Sequence, residues 1–323
     1  MATLISLEDH FVSRSMLDGS QNVQDFAFHL WPQETQDRLM SVGDLRLEDM
    51  QRGDIALQVV SGLPAPEPES ICKATNDQLA EAVQRSNGRL KGFATVPIAD
   101  PVAAAAELDR CVRDLGFLGV LLPNHAHGKY YDTEEYIPFW KKVEELDVPI
   151  YLHPCPPTAA GRSMYEGNHD EKVTTILSIG GWGWHADVAV HFLKLYTSGL
   201  FDVCPRLKLV IGHSGEMLPY MITRVDSRLR KGWGSKERGL PMVWKENIWV
   251  TISGIWDLAP FACLIRAVAP DHLMFSVDYP FEKNESGRDF MQEVRESKLV
   301  SDEIWDMIAF RNAEKLLKVS RPP

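Results

Sequence analysis

Short apolar runs recur along the chain, and a stretch with helical periodicity follows most of them. The runs are rich in Val, Ile, Leu and aromatic residues, which is typical of parallel strands buried on both faces. We predict eight strands, over residues 4–10, 55–60, 90–95, 119–122, 147–154, 207–212, 248–251 and 273–276. Amphipathic patterns predict helices over residues 45–52, 76–86, 102–115, 134–146, 186–198, 218–231, 259–268, 286–296 and 302–318.

The alternation of eight strands with helices predicts an α/β fold, a closed (β/α)8 TIM barrel with loop insertions and C-terminal helices. An open, doubly wound sheet is the alternative, but no Gly-x-Gly-x-x-Gly motif follows the first strand to support it. We predict residues 11–45 to be a long polar loop with a short helix, and residues 156–182 to be a long connection. The whole chain, residues 1–323, is expected to form one domain.

Charge and cysteine usage narrow the range of partners and compartments. The chain has 323 residues and a formal net charge of -11, which argues against a nucleic acid or an anionic membrane as partner. Its five cysteines are odd in number and scattered, which predicts reduced thiols rather than disulfides. No apolar run approaches the length of a membrane span. We therefore expect a cytoplasmic protein that binds neither nucleic acid nor membrane.

Residue types that bind metal ions lie at the ends of several predicted strands. Glu8 and His10 end the first strand on the same side, because they are two residues apart. His153 ends the fifth strand, His213 follows the sixth, and Asp278 follows the eighth. Each histidine alone could be structural, but in a barrel all five positions surround one mouth. Carboxylates and imidazoles suit a divalent cation such as Zn²⁺ or Mn²⁺, with Mg²⁺ less suited to nitrogen ligands.

Four motifs together resemble a known family. They are Glu8-Asp9-His10-Phe11, Leu152-His153-Pro154, Gly212-His213-Ser214-Gly215-Glu216 and Phe275-Ser276-Val277-Asp278-Tyr279-Pro280-Phe281-Glu282. This combination resembles the amidohydrolase superfamily, and within it the metal-dependent nonoxidative decarboxylases of γ-resorcylate, 2,3-dihydroxybenzoate, salicylate and 5-carboxyvanillate. The resemblance covers almost the whole chain and is specific to this branch, though not to one substrate.

The resemblance implies roles for individual residues. The metal-ligand positions are matched by Glu8, His10, His153 and Asp278, and the positions of the catalytic histidine and its acidic partner by His213 and Glu216. Arg224 matches a substrate-pocket arginine more loosely, and Asn124, Phe281 and Arg46 are further candidates for the pocket lining. Phe26 and Phe28 are candidates for stacking on a ring. The resemblance also implies a small aromatic carboxylic acid as substrate, one divalent metal ion, no organic cofactor, and a homo-oligomer.

The expected reaction is the nonoxidative decarboxylation of an ortho-hydroxybenzoate to a phenol and CO₂. Asp278 would protonate the carboxyl-bearing ring carbon, with His213 and Glu216 setting its protonation state. The alternative is a metal-dependent hydrolase, such as a lactonase or an amidase, in which an ionised Asp278 takes a proton from water. A non-enzymatic scaffold is the third hypothesis, and it gives no reason for a bound metal ion.

Overall fold

Eight parallel strands form the centre of the molecule in the computed structural model, which describes residues 3–25, 28–233 and 237–322. The strands are β1 (Leu4–Phe11), β2 (Ile55–Gly62), β3 (Leu90–Ala94), β4 (Gly119–Pro123), β5 (Pro149–His153), β6 (Lys208–Ile211), β7 (Ile248–Thr251) and β8 (Leu273–Met274). They pair in sequence order from β1 to β8, and nearly all of their residues are buried. Helices cover the outside, so that each strand is enclosed on both faces.

The last part of the barrel closes between β1 and the segment after β8. The Asp278 backbone N–H donates to the Glu8 carbonyl at 2.8 Å, and the Ser276 hydroxyl accepts from the Glu8 N–H at 2.7 Å. Strand β8 is shorter than predicted, because the Phe275 N–H donates to the carbonyl of Ile308 instead of to a neighbouring strand. The predicted (β/α)8 barrel is confirmed, and the strand order excludes the open, doubly wound sheet.

Helices occur in the connections between successive strands, and further helices follow β8. They are α1 (Arg14–Gly19), α2 (Gln21–Asp25), α3 (Gln33–Met40), α4 (Asp44–Arg52), α5 (Glu69–Arg85), α6 (Pro101–Arg113), α7 (Ile137–Leu146), α8 (Ala159–Arg162), α9 (Glu171–Ser178), α10 (Gly183–Thr197), α11 (Leu200–Val203), α12 (Leu218–Trp233), α13 (Leu240–Asn247), α14 (Leu258–Ala267), α15 (Asn284–Ser297), α16 (Asp302–Asp306) and α17 (Asn312–Leu317). A π-helical turn, Met307–Arg311, joins α16 to α17.

Several stretches are more helical than the sequence predicts. The connection predicted over residues 156–182 contains α8 and α9, and α11 and α13 were also not predicted. The insertion after β1 carries α1, α2 and α3 rather than one short helix, because these helices are too short to show an amphipathic period. Helix α5 begins at Glu69, two turns before the predicted start. Its buried face includes the polar side chains of Thr75 and Asn76, and Asn76 donates to the Thr95 carbonyl at 2.8 Å. These polar residues interrupt the apolar pattern from which the helix was predicted.

Three predictions about the whole molecule stay predictions: one domain over residues 1–323, a homo-oligomer and a cytoplasmic location. Within the described ranges, no helix combines the length and the apolar character that crossing a bilayer requires.

Candidate active site

The predicted ligand residues meet at the mouth of the barrel. The shortest approaches join Oδ1 of Asp278 to Nε2 of His10 at 3.1 Å, and Oε1 of Glu8 to Nε2 of His153 at 3.2 Å. The His153 Nε2 atom also lies 3.9 Å from Oδ1 of Asp278. Side chains from β1, β5 and the segment after β8 therefore share one small volume, as the strand-end argument predicts.

The atoms at the centre of this cluster fit a divalent metal ion. Four of them are buried without a hydrogen-bond partner among the described residues: Oε1 of Glu8, Nε2 of His10, Nε2 of His153 and Oδ1 of Asp278. Buried polar atoms are rarely left unpaired, and the two shortest approaches lack hydrogen-bond geometry. Ligands bonded to one ion at about 2.1 Å lie roughly 3 to 3.5 Å apart, which is close to the spacing here. The residues present therefore fit the implied metal.

The distal atoms of the ligands hold them in place. Nδ1 of His153 donates to the carbonyl of its neighbour Pro154 at 2.7 Å, which directs Nε2 into the cluster. Nδ1 of His10 lies 3.2 Å from the Ser61 hydroxyl on β2. Oε2 of Glu8 accepts hydrogen bonds from the hydroxyls of Tyr151, at 2.5 Å, and Ser253. These supporting hydroxyl groups could not be predicted, because no spacing in the sequence links them to Glu8.

Opposite charges compensate one another in the cluster before any metal binds. Burial opposes ionisation of Asp278, but the imidazole groups of His10, His153 and His213 close to it hold its pKa well below the usual value. Burial also lowers the pKa of His153, yet Asp278 and Glu8 raise it to about 9. A proton on His153 thus balances the carboxylates, and a divalent cation would take the place of that proton.

His213 and Glu216 lie on a tight turn that follows β6. His213, Ser214, Gly215, Glu216 and Met217 have φ angles between 42° and 82°, in the left-handed region that strains side chains other than glycine. This turn brings Nδ1 of His213 to within 2.8 Å of Oε1 of Glu216. Nε2 of the same ring lies 3.6 Å from Oδ2 of Asp278. The predicted catalytic histidine therefore lies between its acidic partner and the ligand cluster.

A cavity of about 470 Å³ opens above the cluster, within the usual size range of small-molecule sites. Its lining comprises Trp31, Leu63, Pro64, His153, Pro154, Gly180, Gly181, Trp184, His185, His213, Gly254, Ile255, Asp278, Phe281 and Glu282. One wall is aromatic. The ring centroids of Trp31 and Phe281 are 5.4 Å apart, and those of Phe281 and His10 are 6.0 Å apart. The wall thus continues down to a predicted metal ligand.

Of the predicted pocket residues, Phe281 lines the cavity, whereas Arg46, Asn124 and Arg224 do not. Arg46 is fully buried behind β1, where it donates to the His10 carbonyl at 2.5 Å and stabilises the backbone of this predicted ligand. Arg224 is exposed on α12 of this chain. Of the two candidate stacking residues, Phe28 packs against Trp31 at 5.7 Å, and Phe26 lies outside the described residues.

Asn124 belongs to a buried network next to the cavity. Its amide donates to Oδ2 of Asp187 at 2.6 Å, and its carbonyl oxygen lies 3.2 Å from Nδ1 of His191. Nε2 of His191 accepts from the backbone N–H of Tyr131 at 3.1 Å, so this nitrogen carries no proton in the folded chain. The network requires a neutral imidazole, and Asn124 therefore supports the fold around the site.

We expect His191 to make the folded state sensitive to acid. Burial lowers its pKa to about 3 from an ordinary value of 6.5. Because protons then bind the unfolded chain more tightly, the contribution of neutral His191 to the stability of the folded chain is complete above pH 6.5 and is lost as the pH falls towards 3. At pH 5 the loss is about 2 kcal/mol, at 1.36 kcal/mol per pH unit. Urea unfolding of the wild type and of His191→Gln at pH 7.5 and pH 5 measures this loss in the free energy of unfolding. The control is His29→Gln, a substitution at an exposed histidine. If the wild type and His191→Gln lost the same free energy between the two pH values, His191 would not be the acid-sensitive group.

His185 is a site residue that the sequence analysis did not single out. It lies near the start of α10, lines the cavity, and places Nδ1 2.5 Å from Oε2 of Glu216. The only signal in the sequence is that His185 directly follows an unusual aromatic segment, Trp182-Gly183-Trp184.

Several known proteins are similar to this chain in sequence and in fold. Residues 25–319 match the sequence model of the Amidohydrolase family. Decarboxylase orsB of Emericella nidulans is 46% identical over 322 residues, which span 98% of this chain and 97% of that protein. The structure of a 2,6-dihydroxybenzoate decarboxylase in complex with 2,6-dihydroxybenzoate is also similar, with a TM-score of 0.88 and 33% sequence identity. The match covers 99% of this chain and 100% of that one.

A dihydroxybenzoic acid decarboxylase from Polaromonas sp. JS666 was solved with bound manganese and the inhibitor 2-nitroresorcinol. It has a TM-score of 0.86 at 32% identity, and the match covers 98% of this chain and 97% of that one. The chain therefore belongs to the amidohydrolase superfamily and, within it, to the branch of metal-dependent nonoxidative decarboxylases, which are carboxy-lyases.

Proposed function

We propose that this protein converts an ortho-hydroxybenzoate into the corresponding phenol and CO₂. The observation that carries the proposal is the position of Asp278, which belongs to the ligand cluster and also lines the cavity beside the aromatic wall. A benzoate ring that packs on Trp31 and Phe281 would present its carboxyl group to the cluster. The similarity to named decarboxylases of aromatic acids supports this assignment.

The charge of the cavity lining fits a substrate whose anionic groups face the metal. Among the described lining residues there is no lysine or arginine to bind a carboxylate. A bound divalent cation would supply the positive charge that holds the carboxylate and the adjacent phenolate, and would orient the ring. Glu8, His10, His153 and Asp278 would hold this ion, which we propose to be Mn²⁺ or Zn²⁺, and no organic cofactor is needed.

Asp278 is the proposed proton donor to the ring carbon. Direct loss of CO₂ would leave a strongly basic aryl carbanion, and protonation of the same carbon first avoids it. The new C–H bond forms, the bond to the carboxyl group breaks, its electron pair returns to the ring, and CO₂ leaves. One proton is consumed in each turnover, because a carboxylate becomes neutral CO₂ while the ring gains hydrogen.

The free site keeps Asp278 ionised, so substrate binding must change its protonation state. The pKa of Asp278 is well below its usual value, because the lowering effect of the surrounding histidines is larger than the raising effect of burial. A substrate carboxylate and phenolate bring two negative charges next to it, and like charges raise the pKa of a carboxyl group. His213, with Nε2 at 3.6 Å from Oδ2 of Asp278, is the group that can return the proton.

Incubation of the metal-loaded protein with a panel of benzoates tests the proposal. We expect 2,6-dihydroxybenzoate, its alkyl-substituted relatives or salicylate to yield a phenol and CO₂, and 4-hydroxybenzoate, which lacks the ortho hydroxyl, to remain unchanged. In D₂O the product should carry one deuterium at the former carboxyl position. Hydrolysis of lactones or amides, with no turnover of any hydroxybenzoate, would instead assign the site to a hydrolase.

A further inference from the structure

Glu216 is hydrogen-bonded to a histidine on each side. Its Oε1 atom lies 2.8 Å from Nδ1 of His213, and its Oε2 atom lies 2.5 Å from Nδ1 of His185. The carboxyl group is fully buried, and the two imidazole rings meet edge to face at 4.9 Å. His185 is thus the outer member of a row that continues through Glu216 and His213 to Asp278.

This group of three residues is a hydrogen-bonded unit rather than a second metal site. Both carboxylate oxygens of Glu216, both ring nitrogens of His185 and Nδ1 of His213 have hydrogen-bond partners, whereas the four atoms of the ligand cluster have none among the described residues. The separations of 2.5 and 2.8 Å between Glu216 and its two histidines are also shorter than the roughly 3 to 3.5 Å between ligands of one ion. Hydrogen bonds, not coordination, explain both contacts.

The partners of His185 determine where its protons lie. Nε2 donates to the Gly180 carbonyl at 3.0 Å, and a carbonyl oxygen can only accept. Nδ1 faces the carboxylate of Glu216, which also only accepts when ionised. Burial opposes the ionisation of Glu216, but the two histidines lower its pKa to about 2. Nδ1 of His185 therefore donates to Oε2 of Glu216, and no second hydrogen-bond donor to this oxygen is found in the part of the chain that the structure describes.

We propose that His185 is a positioning residue for His213 and acts through the carboxylate of Glu216. By holding Oε2, His185 fixes the rotation of the carboxylate, so that Oε1 accepts from Nδ1 of His213. Nε2 of His213 then faces Oδ2 of Asp278, at 3.6 Å. Without His185, the carboxylate can rotate about its terminal bond, and His213 loses the orientation that proton return to Asp278 requires. The kinetic part of this inference rests on the proposed decarboxylation.

Two substitutions at position 185 separate positioning from packing. His185→Leu fills the space but removes both donors, whereas His185→Asn can place its amide N–H close to the position of Nδ1. We expect His185→Leu to lower kcat roughly 10- to 100-fold, with KM and metal content unchanged, as for other residues that orient a functional group through a hydrogen bond. His185→Asn should recover most of the loss. Val190→Ala, an exposed substitution on α10, is the matched control.

A spectroscopic measurement on the protein before metal loading is independent of turnover. Short imidazole–carboxylate hydrogen bonds shift the N–H proton far downfield, so ¹⁵N-edited NMR should detect the Nδ1 protons of His185 and His213. In His185→Leu the first signal disappears and the His213 signal moves, while His185→Asn retains the His213 signal.

An unchanged His213 signal in His185→Leu, or a parallel fall of kcat, metal content and melting temperature, would overturn the positioning role. If the wild type decarboxylates no hydroxybenzoate, the proposed reaction fails, but the NMR result still decides the role of His185.

Discussion

Replacing Asp278 with asparagine is expected to lower kcat about 10²- to 10⁴-fold, the range that general acid–base groups contribute. Asparagine retains the oxygen that corresponds to Oδ1, which lies 3.1 Å from Nε2 of His10, and so keeps a neutral donor for the ion. It cannot carry a proton to the ring carbon. Most of the metal should therefore stay bound while turnover is lost. Steady-state kinetics together with metal analysis of the same sample measures the two effects.

Glu282→Gln is the matched control for Asp278→Asn, because it also neutralises a carboxylate of the cavity lining. Oε2 of Glu282 accepts from the indole N–H of Trp256 at 2.9 Å, and Glu282 does not belong to the ligand cluster. We expect a much smaller effect on kcat there. Equal losses of metal and turnover in Asp278→Asn would mean that Asp278 acts only as a ligand.

Replacing His153 with alanine is expected to abolish metal binding at stoichiometric concentrations and activity with it. The substitution removes one of the four unpaired ligand atoms and leaves the carboxylate of Glu8 without the imidazole nitrogen that lies 3.2 Å from its Oε1 atom. Treatment of the wild type with a chelator should have the same effect, and added Mn²⁺ or Zn²⁺ should restore only the wild type. Saturating metal should stabilise the wild type by RT ln(1 + [L]/Kd), about 2.7 kcal/mol at one hundred times Kd.

Thermal unfolding with and without metal makes this second prediction independent of any substrate. His153→Ala should show no metal-dependent rise in melting temperature, while His169→Ala, at an exposed histidine outside the cluster, should show the full rise. A His153→Ala protein that still binds one equivalent of metal with unchanged affinity would remove His153 from the ligand set.

Much of the site could be predicted because strand ends and functional positions coincide in a parallel barrel. Glu8, His10 and His153 could be identified from the ends of apolar runs, and Asp278 from its place after the last one. These residues meet because a parallel barrel brings the carboxyl ends of all its strands to one side, independently of the conformation of the loops. The same reasoning cannot identify His185, since it lies on a helix and its role depends on where α10 packs.

The residues that line the cavity were harder to predict than the residues that meet in the cluster. Arg46 has the charge that a benzoate needs, but its guanidinium is buried behind β1 and bonded to the His10 carbonyl. Asn124 follows β4 and belongs to the network of His191 instead of the cavity. The direction of such side chains depends on neighbours that are distant in sequence, and spacing along the chain contains no information about them.

The sequence by itself determined the strand–helix alternation, the barrel and the residue types at the strand ends, because periodicity and strand length are local properties. Only the tertiary structure decided which atoms share one volume. Gly212 illustrates the difference: a Cβ atom there would lie 2.7 Å from Oε1 of Glu8 and 2.8 Å from the hydroxyl of Tyr151. The need for glycine at that position comes from side chains about 60 and 200 residues away, which approach it only when the barrel closes.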